Sequence, residues 1–359
     1  MKHLRSITAI GTAAIALSAL LSQQTANAAL LAYEGFDYTA GNLDTTKNGG
    51  IGWAQAWQPT TVSGNLANQQ VFSTGFNYTD GLGNALTVSG GRAHVTGDGG
   101  ATGDNIGGVG TGTSVTPTRG FNFNRGANGL TETTWMSFIS LRTGLPQGSA
   151  GQPPVGAPPN DYLYGRAASA QLFYNSASST TAGSEMFAIG RATQSSETTA
   201  AASLLQNDTW GILQQGNANA TKVSTINFAA GAADFMLMRI DHLPGINAVS
   251  GLLTNADTIR IWINPNLDVA PADGAADITL NANDFNPTLA INRDLIFNRF
   301  RIFGGGTNAV VGYGSIELDE IRIGGGFADV TPYTSVPEPA MAALGGLGVL
   351  ALILRRRLN

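Results

Sequence analysis

Glu317-Leu318-Asp319-Glu320 is a run in which carboxylates stand at the spacing of acid–base chemistry. Two carboxyls on one strand face can break a glycosidic bond, one giving a proton while the other attacks or activates water; a retaining pair sits about 5–5.5 Å apart. Glu317 and Asp319 share a face, but Ile321 and Arg322 come next, so a further Glu is absent from that face. Asp319 and Glu320 are adjacent and are expected to point to opposite faces. The run therefore reads as a charged strand end that pairs with a nearby arginine such as Arg322, without catalysis. Glu34 and Asp37 read in the same way, as start-of-strand and turn carboxylates.

Other chemistry is sparse. Beyond residue 28 the chain has two histidines, His94 and His242, far apart and outside any metal-ligand spacing such as His-Glu-x-x-His. No Gly-x-Ser-x-Gly elbow supports a nucleophilic serine. His242 ends an alternating run and reads as a strand-edge residue. Gly97-Asp98-Gly99-Gly100-Ala101-Thr102-Gly103-Asp104 has the composition of a calcium loop but lacks the liganding Glu, so it reads as a turn. Gly304-Gly305-Gly306 reads as a hairpin turn, since no Lys-Ser/Thr follows. No metal and no cofactor are expected, calcium being the one ion weighed. Exposed aromatic rings are the remaining route to a ligand, because their faces stack on apolar sugar C–H groups. Trp53 and Trp57 lie in a Gly-rich stretch, and Tyr162 and Tyr164 end a proline-rich loop over 144–161. These four are the candidate carbohydrate-binding residues, each with a core reading beside it. Trp135 and Trp262 sit on regular alternating runs and read as core or sheet-face residues.

The two ends carry addresses. Lys2 and Arg5 precede an apolar run over 7–21, and Ala26-Asn27-Ala28 supplies a small-x-small cleavage site ahead of Ala29. At the other end Val336-Pro337-Glu338-Pro339 precedes an uncharged run over 340–354 and then Arg355, Arg356 and Arg357. A helix over that run rises roughly 22 Å, short of a ~30 Å hydrocarbon core, and the arginines can reach back to the headgroups. The basic cluster favours a cytoplasmic C-terminus, with the body on the opposite side. A permanent anchor without processing is the other reading of these residues. The Pro337, Glu338, Pro339, helix and arginine order resembles the PEP-CTERM sorting tail of Gram-negative bacteria. That resemblance implies recognition and cutting by exosortase, an integral-membrane cysteine transpeptidase, after a transient stay in the inner membrane through the C-terminal helix. The destination it implies is the cell surface or extracellular matrix.

Removing Lys2, Arg5 and the three terminal arginines from the 19 basic residues leaves 14 against 24 acidic ones, so the body is near −10. Two lysines, Lys47 and Lys222, remain in it, which argues against nucleic acid and against an anionic membrane surface. The chain has no cysteine, so an exported body must be held by its core alone.

The elements that would position these residues have a period of two. Long runs lie over 134–141, 235–241, 258–264, 299–303 and 316–323, and shorter ones over 30–33, 85–88, 93–96, 170–174, 186–189, 211–214 and 277–280. Gly, Asn, Asp and Pro clusters separate them. An all-β antiparallel sandwich or barrel follows, with the proline-rich loop as an excursion within one domain. Leu31-Ala32-Tyr33-Glu34-Gly35-Phe36-Asp37-Tyr38 near the front, Gly52-Trp53 and Trp57 after it, Ile261-Trp262-Ile263-Asn264-Pro265 downstream, and Asp319-Glu320-Ile321-Arg322-Ile323-Gly324 with Ala328-Asp329-Val330 at the end resemble laminin-G-like, concanavalin-A-like jelly rolls. The resemblance spans residues 29–332 and implies that the first and last strands pair. Glycanases of this fold place carboxylates as Glu-x-Asp-x-Glu or with a one-residue bulge. The organisation expected is a signal peptide over 1–28, a sandwich over 29–332 and a sorting signal over 333–359. The function expected is a non-enzymatic carbohydrate-binding or structural matrix module with extracellular polysaccharide as partner. The alternative is a glycan-cleaving enzyme, hydrolase or lyase, on the same sandwich.

Overall fold

The computed structural model describes residues 29–60, 65–97, 114–126, 131–144, 168–174, 184–191, 209–214, 220–227, 232–243, 255–282, 295–305 and 314–335. Alternating apolar side chains can all reach one side of a pleated sheet, and the chain builds two such sheets. The larger is nine-stranded and antiparallel. It contains β1 (Leu30–Glu34), β2 (Gly41–Asn42), β3 (Gln69–Phe72), β5 (Arg92–Thr96), β7 (Glu132–Gly144), β12 (Asp234–His242), β13 (Thr258–Ile263), β14 (Ile278–Asn281) and β16 (Gly314–Gly324). Its order is β14-β13-β12-β7-β16-β5-β3-β2, with β1 also on β16. The smaller contains β6 (Thr118–Arg125), β8 (Ala168–Tyr174), β9 (Ser184–Arg191), β10 (Thr209–Gln214), β11 (Ala220–Asn227) and β15 (Phe297–Gly304), in the order β11-β10-β9-β8-β15-β6. A short pair, β4 (Ala85–Leu86) with β17 (Tyr333–Thr334), and a single helical turn, α1 (Phe327–Val330), flank them.

The sheets face each other across one apolar core. Phe138, Met236, Ile261 and Leu318 come from the larger sheet, and Leu172, Phe187, Trp210 and Phe300 from the smaller. This is an antiparallel β-sandwich, as the alternation implies. The outer face of the larger sheet carries a second apolar layer. Trp135, Ile139, Phe235, Leu237 and Trp262 lie there beneath Tyr78, Leu86, Leu267 and Val330. Trp135 and Trp262 stack at 5.8 Å, so both are sheet-face residues in that layer.

β16 organises the larger sheet, and all eleven of its residues are buried. One edge pairs with β7 along its length. The other edge is shared: residues 315–318 pair with β5, and Ile321, Arg322, Ile323 and Gly324 pair with β1. The opening strand of the body thus pairs with its last long one. Between the two partners the β7 ladder slips from Asp319 to Arg322, and Glu320 sits at φ 54°. This is a β-bulge, with a non-glycine residue in the left-handed region.

Three local expectations are corrected. β15 and β16 lie in different sheets, so Gly304 and Gly305 begin a crossover and not a hairpin. β12 lies between β13 and β7, and His242 at its end is buried, bonded to Thr134 Oγ1 at 3.0 Å and facing Asp257 at 3.3 Å. It is therefore an interior side chain and not a strand-edge one. The proline-rich loop beyond Gly144 lies outside the described residues. Among the described residues no helix is long and apolar enough to cross a membrane; the apolar runs over 7–21 and 340–354 lie outside them.

Candidate active site

The bulge brings together what the strand repeat would have separated. Glu317 and Asp319 project from the outer face of β16, opposite Ile316 and Leu318, which enter the core between the sheets. The left-handed turn at Glu320 puts its carboxylate on the same outer side. Asp319 Oδ2 accepts from Phe76 N at 2.7 Å, and Glu320 Oε1 accepts from Ser89 N at 2.5 Å. Phe76 and Ser89 belong to two arms of one excursion between β3 and β5, and the arms wall a cleft of about 300 Å³. The cleft is lined by 73–77 on one side and 88–90 on the other. The expectation that Asp319 and Glu320 face opposite ways is therefore corrected, and the left-handed turn is the reason.

Each carboxyl has a distinct environment. Glu317 Oε2 accepts from Arg92 Nε at 2.5 Å, and its Oε1 lies 3.0 Å from His94 Nδ1. Glu317 is held below the usual carboxylate range: burial opposes this, and the hydrogen bonds and charges of His94 and Arg92 outweigh it. Asp319 is pushed up to about 8, chiefly by burial and further by the charge of Glu320, against the N–H bonds from Phe76 and from Glu320 itself. Glu320 is pushed up by burial, with Arg322, Ser89 and Tyr33 acting the other way. Arg322 bonds both Glu320 and the carbonyl of Thr87, the pairing the sequence suggests. At neutral pH the face thus presents an ionised Glu317 two positions from an Asp319 that keeps its proton.

The wall above Asp319 is one glycine thick. A Cβ added to Gly75 would stand 2.7 Å from Asp319 Oδ2, so only glycine leaves that carboxyl next to the cleft. Asp319 itself is fully covered. Reaching it requires the 73–77 arm to lift, with loss of the Phe76 bond. His94 Nε2 is buried and has no hydrogen-bond partner, although its other nitrogen meets Glu317.

The aromatic candidates lie elsewhere. Trp57 is fully buried between the sheets and donates to Glu34 at 3.0 Å, so it is core and not a sugar platform. Trp53 is half-buried, stacked on Phe121 at 4.8 Å with the Arg119 guanidinium 4.7 Å over its ring. Glu34 is likewise interior: it accepts from Phe36 N, Tyr38 and Trp57 and pairs with buried Arg119. Asp37 is exposed in the turn after it. Tyr162, Tyr164, the 98–104 loop, Ala26, Ala28, Pro337, Glu338, Pro339, Arg355, Arg356 and Arg357 lie outside the described residues; Ala29 opens them, short of β1. Within 73–90 the sequence signalled the short run over 85–88, and nothing in it marked the two arms as walls of a cleft. Among the described residues no group of His, Asp and Glu is arranged to hold a metal.

No family model and no curated protein matches the chain. Solved structures do. An endo-β-1,4-glucuronan lyase from the fungus Trichoderma reesei is 15% identical, with 85% of this chain and 99% of that one covered and a TM-score of 0.39. A GH131 β-glucanase catalytic domain from Podospora anserina is 11% identical over 84% and 98%, with a TM-score of 0.41. The alginate lyase vAL-1 from Chlorella virus is 10% identical over 73% and 95%, with a TM-score of 0.33. These are likenesses of fold. Enzymes, named as lyases and a glucanase, thus stand among the proteins of like fold, against the expectation of a non-enzymatic module, and the Emp46p carbohydrate recognition domain stands there too.

Proposed function

We propose that the chain is an exported glycan-cleaving enzyme on a concanavalin-A-like jelly roll, with its acid–base residues on β16. The observation that carries this is an Asp319 that keeps its proton beside an ionised Glu317, under the one-glycine wall of an open cleft. Two carboxyls with pKa values driven apart are how acid and base roles are divided at one pH. In this reading Asp319 gives its proton to the glycosidic oxygen as the bond to the leaving sugar breaks. Glu317 takes a proton from the water that adds to the anomeric carbon, and proton exchange with solvent restores both. Arg92 and His94 hold Glu317 in place and ionised, while Glu320 and Arg322 fix the 88–90 arm. The test is product analysis on a polysaccharide panel. New reducing ends, without the conjugated double bond that elimination leaves, are expected. Unsaturated ends would replace hydrolysis by a lyase reaction.

The same proposal includes the route to the substrate. Ala26-Asn27-Ala28 and the Pro337-Glu338-Pro339 tail support export, release by exosortase and residence at the cell surface or matrix. Intact mass of the surface form is expected to begin at Ala29 and to lack residues 340–359. Finding Arg355, Arg356 and Arg357 still present would remove the sorting step.

A further inference from the structure

Resting on that reading, we propose that the cleft takes uncharged glycan chains and turns away polyuronates. The described lining side chains are the hydroxyls of Ser73, Thr74 and Ser89, the amide of Asn77, and the apolar Phe76 and Val88; none of these is cationic. Hydroxyls and amides both give and accept hydrogen bonds, which suits sugar hydroxyls, and an aromatic ring offers packing for sugar C–H groups.

The nearby cations are already committed. Arg92 bonds Glu317 and the carbonyl of Thr74, and its guanidinium lies 4.9 Å from the Phe72 ring and 5.1 Å from that of Phe76. Arg322 pairs with Glu320 and bonds the Thr87 carbonyl through Nη2; its Nη1 has no partner but is buried away from the cleft surface, with the guanidinium 5.0 Å from the Tyr33 ring. A uronate entering between the arms would approach Glu317 and Glu320 with no cation among the described lining residues, in a body near −10. Like charges facing each other in a partly desolvated cleft weaken binding and slow encounter.

Affinity electrophoresis of the exported protein tests this. The Asp319→Asn variant is run in gels cast with neutral polymers (mixed-linkage β-glucan, xylan, galactomannan) or anionic ones (alginate, polygalacturonate). Retardation by at least one neutral polymer is expected to exceed that by either anionic polymer by roughly tenfold, and to be insensitive to salt. Asn77 and Ser73 are exposed on the cleft rim. An Asn77→Lys, Ser73→Lys double variant is expected to gain salt-sensitive retardation by alginate. Equal or stronger retardation of the parent by a polyuronate, or by no polymer at all, overturns the inference. Neutral-polymer retardation without any cleavage by the unmutated protein would instead overturn the enzymatic reading and leave this one standing.

Discussion

Asp319→Asn is expected to cut glycan cleavage by about 10²–10⁴-fold, the usual weight of a positioned proton donor. The same variant should change how stability depends on pH. The folded Asp319 titrates at about 8, above its ordinary value. Between those two values the folded state holds a proton that the unfolded state has released. Stability therefore falls as pH rises through that window and levels off above about 8, with an upper bound of about 6 kcal/mol on the loss. Asparagine cannot ionise, so that part of the slope should vanish. It also has one carbonyl oxygen for two N–H donors, Phe76 and Glu320, so the variant should be slightly less stable than the parent at low pH and more stable above pH 8. Urea unfolding from pH 4 to pH 9 reads both signs. A slope unchanged by the substitution would assign it to another group.

Arg119→Met should produce the largest loss of stability, about 3–5 kcal/mol. Arg119 and Glu34 are each 1% exposed as an ion pair. The guanidinium also donates to the carbonyls of Gln55 at 2.8 Å and Gly49 at 2.7 Å. Removing it leaves Glu34 buried without its counter-charge and frees the segment that holds Trp53 and Trp57. Adding Glu34→Gln to the variant should recover part of the loss, because the stranded charge is gone. Urea midpoints of the two single variants and the double variant decide this. A single-variant cost under about 1 kcal/mol would mean that water reaches the pair and screens it.

The sandwich was legible where apolar alternation was strong. The runs over 134–141, 235–241 and 258–264 lie within or across β7, β12 and β13, and the one over 316–323 lies inside β16. The sequence missed β6, whose Thr-Arg-Gly-Phe-Asn-Phe-Asn-Arg pairs two exposed or half-exposed asparagines with the phenylalanines of a sheet edge. It missed β2 and β3, which are two and four residues long, and β11, whose Ala-Thr-Lys-Val-Ser-Thr-Ile-Asn is largely polar. The site itself was half visible. Glu317 and Asp319 were placed on one face, and Arg322 was named as a partner. The bulge was not visible, because nothing in Asp-Glu-Ile-Arg reports that β16 changes neighbours from β5 to β1 at that point. The change of partner leaves Glu320 without a ladder position, and the left-handed turn follows. The Gly-rich surroundings of Trp57 suggested exposure, yet those glycines let the segment before it pack against β1: Gly52, at φ 77°, would put a Cβ 1.9 Å from the Leu31 carbonyl.

The measurement closest to the central claim is the pH–rate profile of polysaccharide cleavage by the protein. The account predicts product release with a falling limb near pH 8, set by loss of the Asp319 proton, and no such limb in the residual activity of Asp319→Asn. Absence of product from every polysaccharide at every pH, or full activity in Asp319→Asn, would contradict it.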